Sequence, residues 1–243
     1  MRPRTPLLRP DSYFARRTPD PVRGLILAVV VTLGSLVAIW LLGAVFMDRI
    51  DGTVAVDNPN RPPEGFCDDG TDGAFEEMDA SAFDCDAPAQ VDRDIDTILG
   101  DAMGQFYGAM LVGLPIVLLL AGALLHVGTA LFDADGGFAE TLTVAAWGFT
   151  PTLLVMPVSL AVLWVMMDPV TVTAASDPAA FRDPVMESLD RWRPVALALN
   201  AVGSLWGAAV WTFGLESARS VSRSEAAAVA GTMTLLFFVF GAF

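Results

Sequence analysis

The residues best suited to chemistry lie in one acidic run, Asp68-Asp69-Gly70-Thr71-Asp72-Gly73, followed by Glu76 and Asp79. An EF-hand loop places oxygen ligands at positions 1, 3, 5, 9 and 12, with Gly at 6. Counted from Asp68, those places hold Asp68, Gly70, Asp72, Glu76 and Asp79, with Gly73 at the sixth. Gly70 supplies no ligand, and Asp79 stands where a bidentate Glu is usual. A segment this acidic produces near matches by composition alone. A solvated acidic surface is therefore expected in preference to a calcium site, with no resident metal and no cofactor. Cys67 and Cys85 bracket the run with 17 residues between them. Two cysteines outside the membrane read as a Cys67–Cys85 disulfide, which in the chain-entropy picture stabilises such a loop by about 3 kcal/mol.

Two further polar side chains sit inside apolar sequence. His126, the only histidine, and Asn200 both lie within stretches that carry no charge. Ionisable groups in a membrane are costly and mark functional sites by default. Each also has a structural reading: His126 lies seven residues before Asp133, within reach of the interface, of Thr129 or of a carbonyl one turn away. Asn200 can bridge two helices. Catalytic motifs are absent: there is no His-Glu-x-x-His, no Gly-x-Ser-x-Gly and no phosphate loop, and one histidine cannot complete a zinc site or a triad. The sequence does not read as an enzyme.

The elements that must position these residues follow from charge segregation. Hydrophobic residues make up 54% of the 243 and the mean hydropathy is +0.54. Five stretches contain no Asp, Glu, Lys or Arg: Gly24 to Met47, Ala102 to Phe132, Thr141 to Met167, Pro194 to Leu215 and Ala226 to Phe243. About 20 apolar residues at 1.5 Å rise cross the hydrocarbon layer, and only a helix satisfies its own backbone there. The expected fold is an all-α membrane protein with five transmembrane helices and a long acidic, mostly irregular extracytoplasmic loop between the first two. Residues 1–23 form a short Arg- and Pro-rich cytoplasmic segment, 24–47 the first helix, 48–101 the outer loop and 102–243 a four-helix part. The first helix is too long for a secretory signal core and runs into Asp48 and Arg49, so it reads as a retained anchor.

Orientation rests on Arg2, Arg4, Arg9, Arg16, Arg17 and Arg23, which precede the first helix and place the N-terminus inside. Five spans then put the C-terminus outside, in a multi-pass protein of the cell membrane. Sixteen of the 28 acidic residues fall between Asp48 and Asp101, the net charge is −14, and every basic residue is Arg. Such negative charge is a strategy of salt-adapted organisms, and a halophilic source is the economical reading. Without a basic patch for phosphates, no nucleic-acid partner is expected.

Within this frame, the run Gln90 to Leu99 places Val91, Ile95, Ile98 and Leu99 at helical spacing, so the second helix is expected to begin before the membrane. Pro115, Pro151 and Pro157 predict kinks in helices two and three. Gly104-x-x-x-Gly108 and Gly203-x-x-x-Gly207 are small faces that permit close helix approach, within the chain or between copies. The aromatic cluster at Tyr13 and Phe14 is expected at the headgroup surface.

Leu124-Leu125-His126, then Gly136-Gly137-Phe138-Ala139-Glu140-Thr141-Leu142 leading to Trp147-Gly148-Phe149-Thr150-Pro151, is similar to the Yip-domain family of Ypt/Rab-interacting membrane proteins and their prokaryotic relatives. The link Glu216 to Ala228 and the segment Leu8-Arg9-Pro10-Asp11-Ser12-Tyr13-Phe14 also resemble the family. Gly136, Gly137, Glu140, Thr141 and Pro151 carry its motif. The resemblance implies five helices and a cytoplasmic N-terminus, but the acidic loop departs from the family's short link between helices one and two. A non-enzymatic organising or scaffolding role is expected, in contact with the bilayer and with a membrane partner or a second copy through Gly104/Gly108 or Gly203/Gly207. A small transporter or channel component using His126 and Asn200, or an envelope sensor reading through the acidic loop, are the alternatives.

Overall fold

The computed structural model describes residues 4–61, 87–173 and 178–241. Helix α1 (Pro10–Phe14) is followed by α2 (Pro21–Arg49), strands β1 (Ile50–Asp57) and β2 (Gln90–Asp94), α3 (Ile95–Ala130), α4 (Phe138–Met166), β3 (Val170–Val172), α5 (Pro178–Arg219) and α6 (Arg223–Gly241). Four helices, α2 to α5, are long and apolar enough to cross a membrane. The 19-residue α6 packs along α5 and α3 and is not among those four. The chain is a mostly helical membrane protein.

Local chemistry sets the helix ends. The Asp20 carboxylate accepts the Val22 N–H at 3.0 Å and Pro21 supplies a preset φ, so α2 starts there. Ser222 and Glu225 form a capping box at α6: Glu225 accepts the Ser222 N–H at 2.8 Å and the Ser222 hydroxyl accepts the Glu225 N–H at 3.4 Å. Pro115, Pro151 and Pro157 all lie inside helices, as expected.

Successive helices alternate in direction, so the chain has two ends. At one, β1 pairs antiparallel with β2 (Thr53↔Asp94 to Asp57↔Gln90) and parallel with β3 (Ile50↔Val170 to Gly52↔Val172), in the order β2-β1-β3. Ile50, Ile95, Met167 and Val172 are buried together beneath this sheet. Gly52 has φ +122°, and a Cβ there would collide with the Val172 carbonyl. Only glycine lets β1 and β3 approach in that conformation.

One expectation changes here. The described parts of the outer loop include the strands Ile50–Asp57 and Gln90–Asp94, and Gln90–Asp94 is not the first turn of the second helix. That helix does begin ahead of Ala102, at Ile95. The apolar spacing of Val91 and Ile95 suits a helix locally, but Val91 faces Val56 of a strand more than thirty residues earlier, and pairing with it wins. Cys67, Cys85 and the candidate calcium ligands Asp68, Asp72, Glu76 and Asp79 lie outside the described residues.

The larger core fills the opposite half of the helices, where Leu125 of α3, Val144 of α4, Val210, Trp211 and Leu215 of α5 and Met233 of α6 meet. Tyr13 and Phe14 are buried in it too, at 6% and 3% exposure, which corrects the expected headgroup position. The N-terminal segment is tucked into the bundle: Trp206 donates to the Leu7 carbonyl at 2.6 Å, and the Ser217 hydroxyl donates to the Phe14 carbonyl at 3.1 Å.

The two small faces separate. Gly207 lies against the Gly148 carbonyl and Gly203 against Thr152, bringing α5 onto α4. That face is occupied within the chain, which removes Gly203/Gly207 as an interface between copies. A Cβ at Gly104 or Gly108 would meet, among the described residues, nothing within 4 Å beyond the helix's own adjacent backbone.

Candidate functional site

The residues singled out in the sequence converge at the end opposite the sheet. Helix α3 ends at Ala130, the turn that follows contains Asp133 at φ 54° and Gly136 at φ 98°, and α4 starts at Phe138. A Cβ on Gly136 would collide with the carbonyl of Ala218, so the turn is pressed directly onto the end of α5. The Gly137 N–H donates to the Glu140 carboxylate at 3.0 Å, half of a capping box that places negative charge at the positive end of α4. The Thr141 hydroxyl donates to the Gly137 carbonyl at 3.2 Å. With that hydrogen committed, His126 Nδ1, 3.2 Å from Thr141 Oγ1, is the donor. The imidazole also meets the Phe138 ring edge to face, with centroids 5.6 Å apart. His126 thus bonds Thr141 across the turn, where the sequence offered Thr129 or a neighbouring carbonyl.

Thr129 serves a different group. Arg219, the last residue of α5, is 3% exposed and donates through Nε to Thr129 Oγ1 at 3.0 Å. Its Nη1 donates to the Gly136 carbonyl and its Nη2 to the Ala134 carbonyl at 3.3 Å. The Thr129 hydroxyl itself donates to the carbonyls of Leu125 and His126 at 2.9 and 3.0 Å. Among the described residues, no carboxylate pairs with this guanidinium. Its charge is met by carbonyls of the turn and by the negative ends of α3 and α5, which converge on it. Five directed N–H groups let Arg bond three acceptors at once.

Sequence reasoning missed Arg219 as a site residue. It lay inside the quoted link after the fourth uncharged stretch, and a single Arg at a helix end ordinarily snorkels to water. The available signal was His126 and Thr129, three residues apart on one helix face ahead of a Gly-Gly turn. The same reading overlooked Trp211, which is buried and donates to the Ala145 carbonyl at 3.1 Å, tying α5 to α4.

Asn200 and Pro151 are elsewhere. Pro151 is fully buried within α4. Asn200 accepts the Ser204 hydroxyl at 3.3 Å and lines a half-open cavity of about 440 Å³ with Thr152, Ser159, Trp192 and Arg193. His126 touches α4 at Thr141, whereas this cavity meets α4 from Thr152 to Leu160, a displacement of roughly 16 Å or more along the helix. The two polar residues do not share a path.

The arrangement at the arginine end can hold three helices and a turn in register, and its polar groups face one another. Among the described residues, no group of three His, Cys, Asp or Glu side chains is placed to hold a metal.

A family model described as the Yip1 domain matches residues 5–243. Neither the curated proteins nor the solved structures give a match.

Proposed function

The chain belongs to the Yip1-domain family, and from that premise we propose that it is a non-enzymatic membrane organiser that acts through helix and loop contacts, not by conducting a solute. The observation that carries this reading is the arginine end. The polar side chains that could have lined a pathway, His126, Thr129, Thr141 and Arg219, are bonded to one another and to a tight turn, and the guanidinium is buried among them. Groups so committed rigidify a fold and are poor carriers of protons or ions.

In this reading the chain spans the cell membrane five times, with α6 as the fifth span, the N-terminus cytoplasmic and the C-terminus outside. Arg16, Arg17, Arg23, Arg219 and Arg223 gather at one end, which supports placing that end in the cytoplasm. The sheet and the acidic loop then face outward, where a Cys67–Cys85 disulfide would persist. The high acidic charge fits a salt-rich habitat.

A second reading keeps a small transporter, because the cavity beside Asn200 sets Thr152, Ser159 and Arg193 into a mainly apolar wall and borders α4, which contains Pro151 and Pro157. Crosslinking in native membranes, with parallel flux measurements in proteoliposomes, separates the two. Capture of a reproducible membrane partner without flux is expected. Solute uptake abolished by His126→Ala or Asn200→Leu would overturn the organiser reading.

A further inference from the structure

A second feature of the molecule lies beside the arginine end and shares Glu140 with it. Helices α2, α3 and α4 leave an apolar slot of about 470 Å³ between them, within the range of sites that hold small ligands. Leu25, Val29 and Leu33 of α2, Leu111 and Leu118 of α3 and Leu142 of α4 form its walls. Small residues, Gly24, Ala28 and Ala146, make the room, and Pro115 lies inside α3 where it borders the slot. From Pro21 to Leu33 it runs roughly 18 Å along α2, close to the ~15 Å of hydrocarbon in one leaflet.

At Pro21 the slot meets an open, polar vestibule under the α1–α2 link. Arg16, Arg17 and Arg23 line it, with Asp20, Glu140 and Ser217. Both carboxylates already have partners: Asp20 caps Val22 and lies 3.5 Å from Arg23, and Glu140 caps Gly137. Ser217 donates to Phe14. Arg17 stacks on the Tyr13 ring at 5.3 Å, and Arg16 and Arg17 are exposed and have no carboxylate partner among the described residues. Guanidinium groups bind phosphate oxygens in pairs, and basic pockets between membrane helices suit anionic headgroups.

We propose that the slot and vestibule together form a binding site for one anionic phospholipid, its acyl chain between α2, α3 and α4 and its phosphate on Arg16 and Arg17. The occupant is a lipid because the two compartments share Pro21 in their linings, the slot is about one leaflet deep, and the cations lie only on the vestibule side. Guanidinium groups at the mouth favour an anionic headgroup over an apolar protein helix.

Native mass spectrometry of the full chain in detergent, titrated with dioleoyl-phosphatidylglycerol, dioleoyl-phosphatidylcholine or inorganic phosphate, tests this. At low ionic strength the wild type should retain one phosphatidylglycerol about 25-fold more tightly than phosphatidylcholine, as two interfacial arginines imply. The double variant Arg16→Gln/Arg17→Gln should lose the preference, its phosphatidylglycerol affinity falling to that for phosphatidylcholine. Ala28→Phe, which fills the slot, should weaken both lipids; Leu25→Trp on the slot's rim replaces it if that variant does not fold. Equal retention of the two lipids, a preference that survives the double variant, or lipid binding that survives the filled slot would overturn the proposal. So would inorganic phosphate binding as tightly as phosphatidylglycerol.

Discussion

Arg219 shows how a single buried cation can be supported without a counter-charge. Three acceptors, Thr129, Ala134 and Gly136, fit the planar fork, and truncation would leave the buried Thr129 oxygen and two carbonyls of the turn without this donor. Arg219→Ala is expected to cost about 3 kcal/mol, read as a lowered Tm in detergent, and Arg219→Lys to recover only part of it, because an ammonium is a point donor. If both variants melt with the wild type, the node is not holding the turn. A second contrast concerns glycines of equal sequence appearance. On Gly148 a Cβ would enter the Trp211 indole, so Gly148→Ala should cost about 1–3 kcal/mol through overpacking. Gly108 faces open space, and Gly108→Ala should leave the monomer's Tm within experimental error. His126, Thr141 and the Gly-Gly turn were legible as a constellation because they lie within sixteen residues of one another. Arg219 was not, since its partners come from up to 90 positions away.

At the scale of elements, the four long helices follow from uncharged length, and their ends follow from residues that cap them. The sheet is different in kind. Its three strands are short and come from segments that alone carry too little apolar surface to predict pairing, and what holds them is the contact of Ile50, Ile95, Met167 and Val172 beneath. Gly52→Ala should strain a positive φ and force β1 from β3, costing about 1–3 kcal/mol. The expected readout is faster protease cleavage near Val170–Val172 in the folded protein; unchanged cleavage would show that β3 does not depend on the close approach. The N-terminal segment also became part of the bundle. Tyr13 and Phe14 read as interfacial because aromatic residues favour headgroups, but here α4 and α5 supply a pocket that buries them more completely.

For the whole molecule, the number of crossings has a direct test. Tags on the two termini of the intact protein, probed with protease in right-side-out and inverted vesicles, should be cleaved from opposite faces if α6 crosses the membrane. Cleavage of both from the same face would leave the four crossings of α2 to α5 and remove the fifth. The sequence by itself determined that this is a membrane protein of several spanning helices; it led to five, of which four, α2 to α5, are long and apolar enough in the structure. Exclusion of charge over a bilayer's thickness is a one-dimensional property that each segment satisfies alone, because a helix bonds its own backbone. It also determined the turn chemistry at Gly136 and Gly137 and the family to which the chain belongs. Only the tertiary structure decided that Gly203 and Gly207 face inward while Gly104 and Gly108 do not, that the ends of the acidic loop are strands, and that Arg219 is buried. Those outcomes depend on which surfaces segments far apart in sequence present to each other, and no local pattern of residues encodes that pairing.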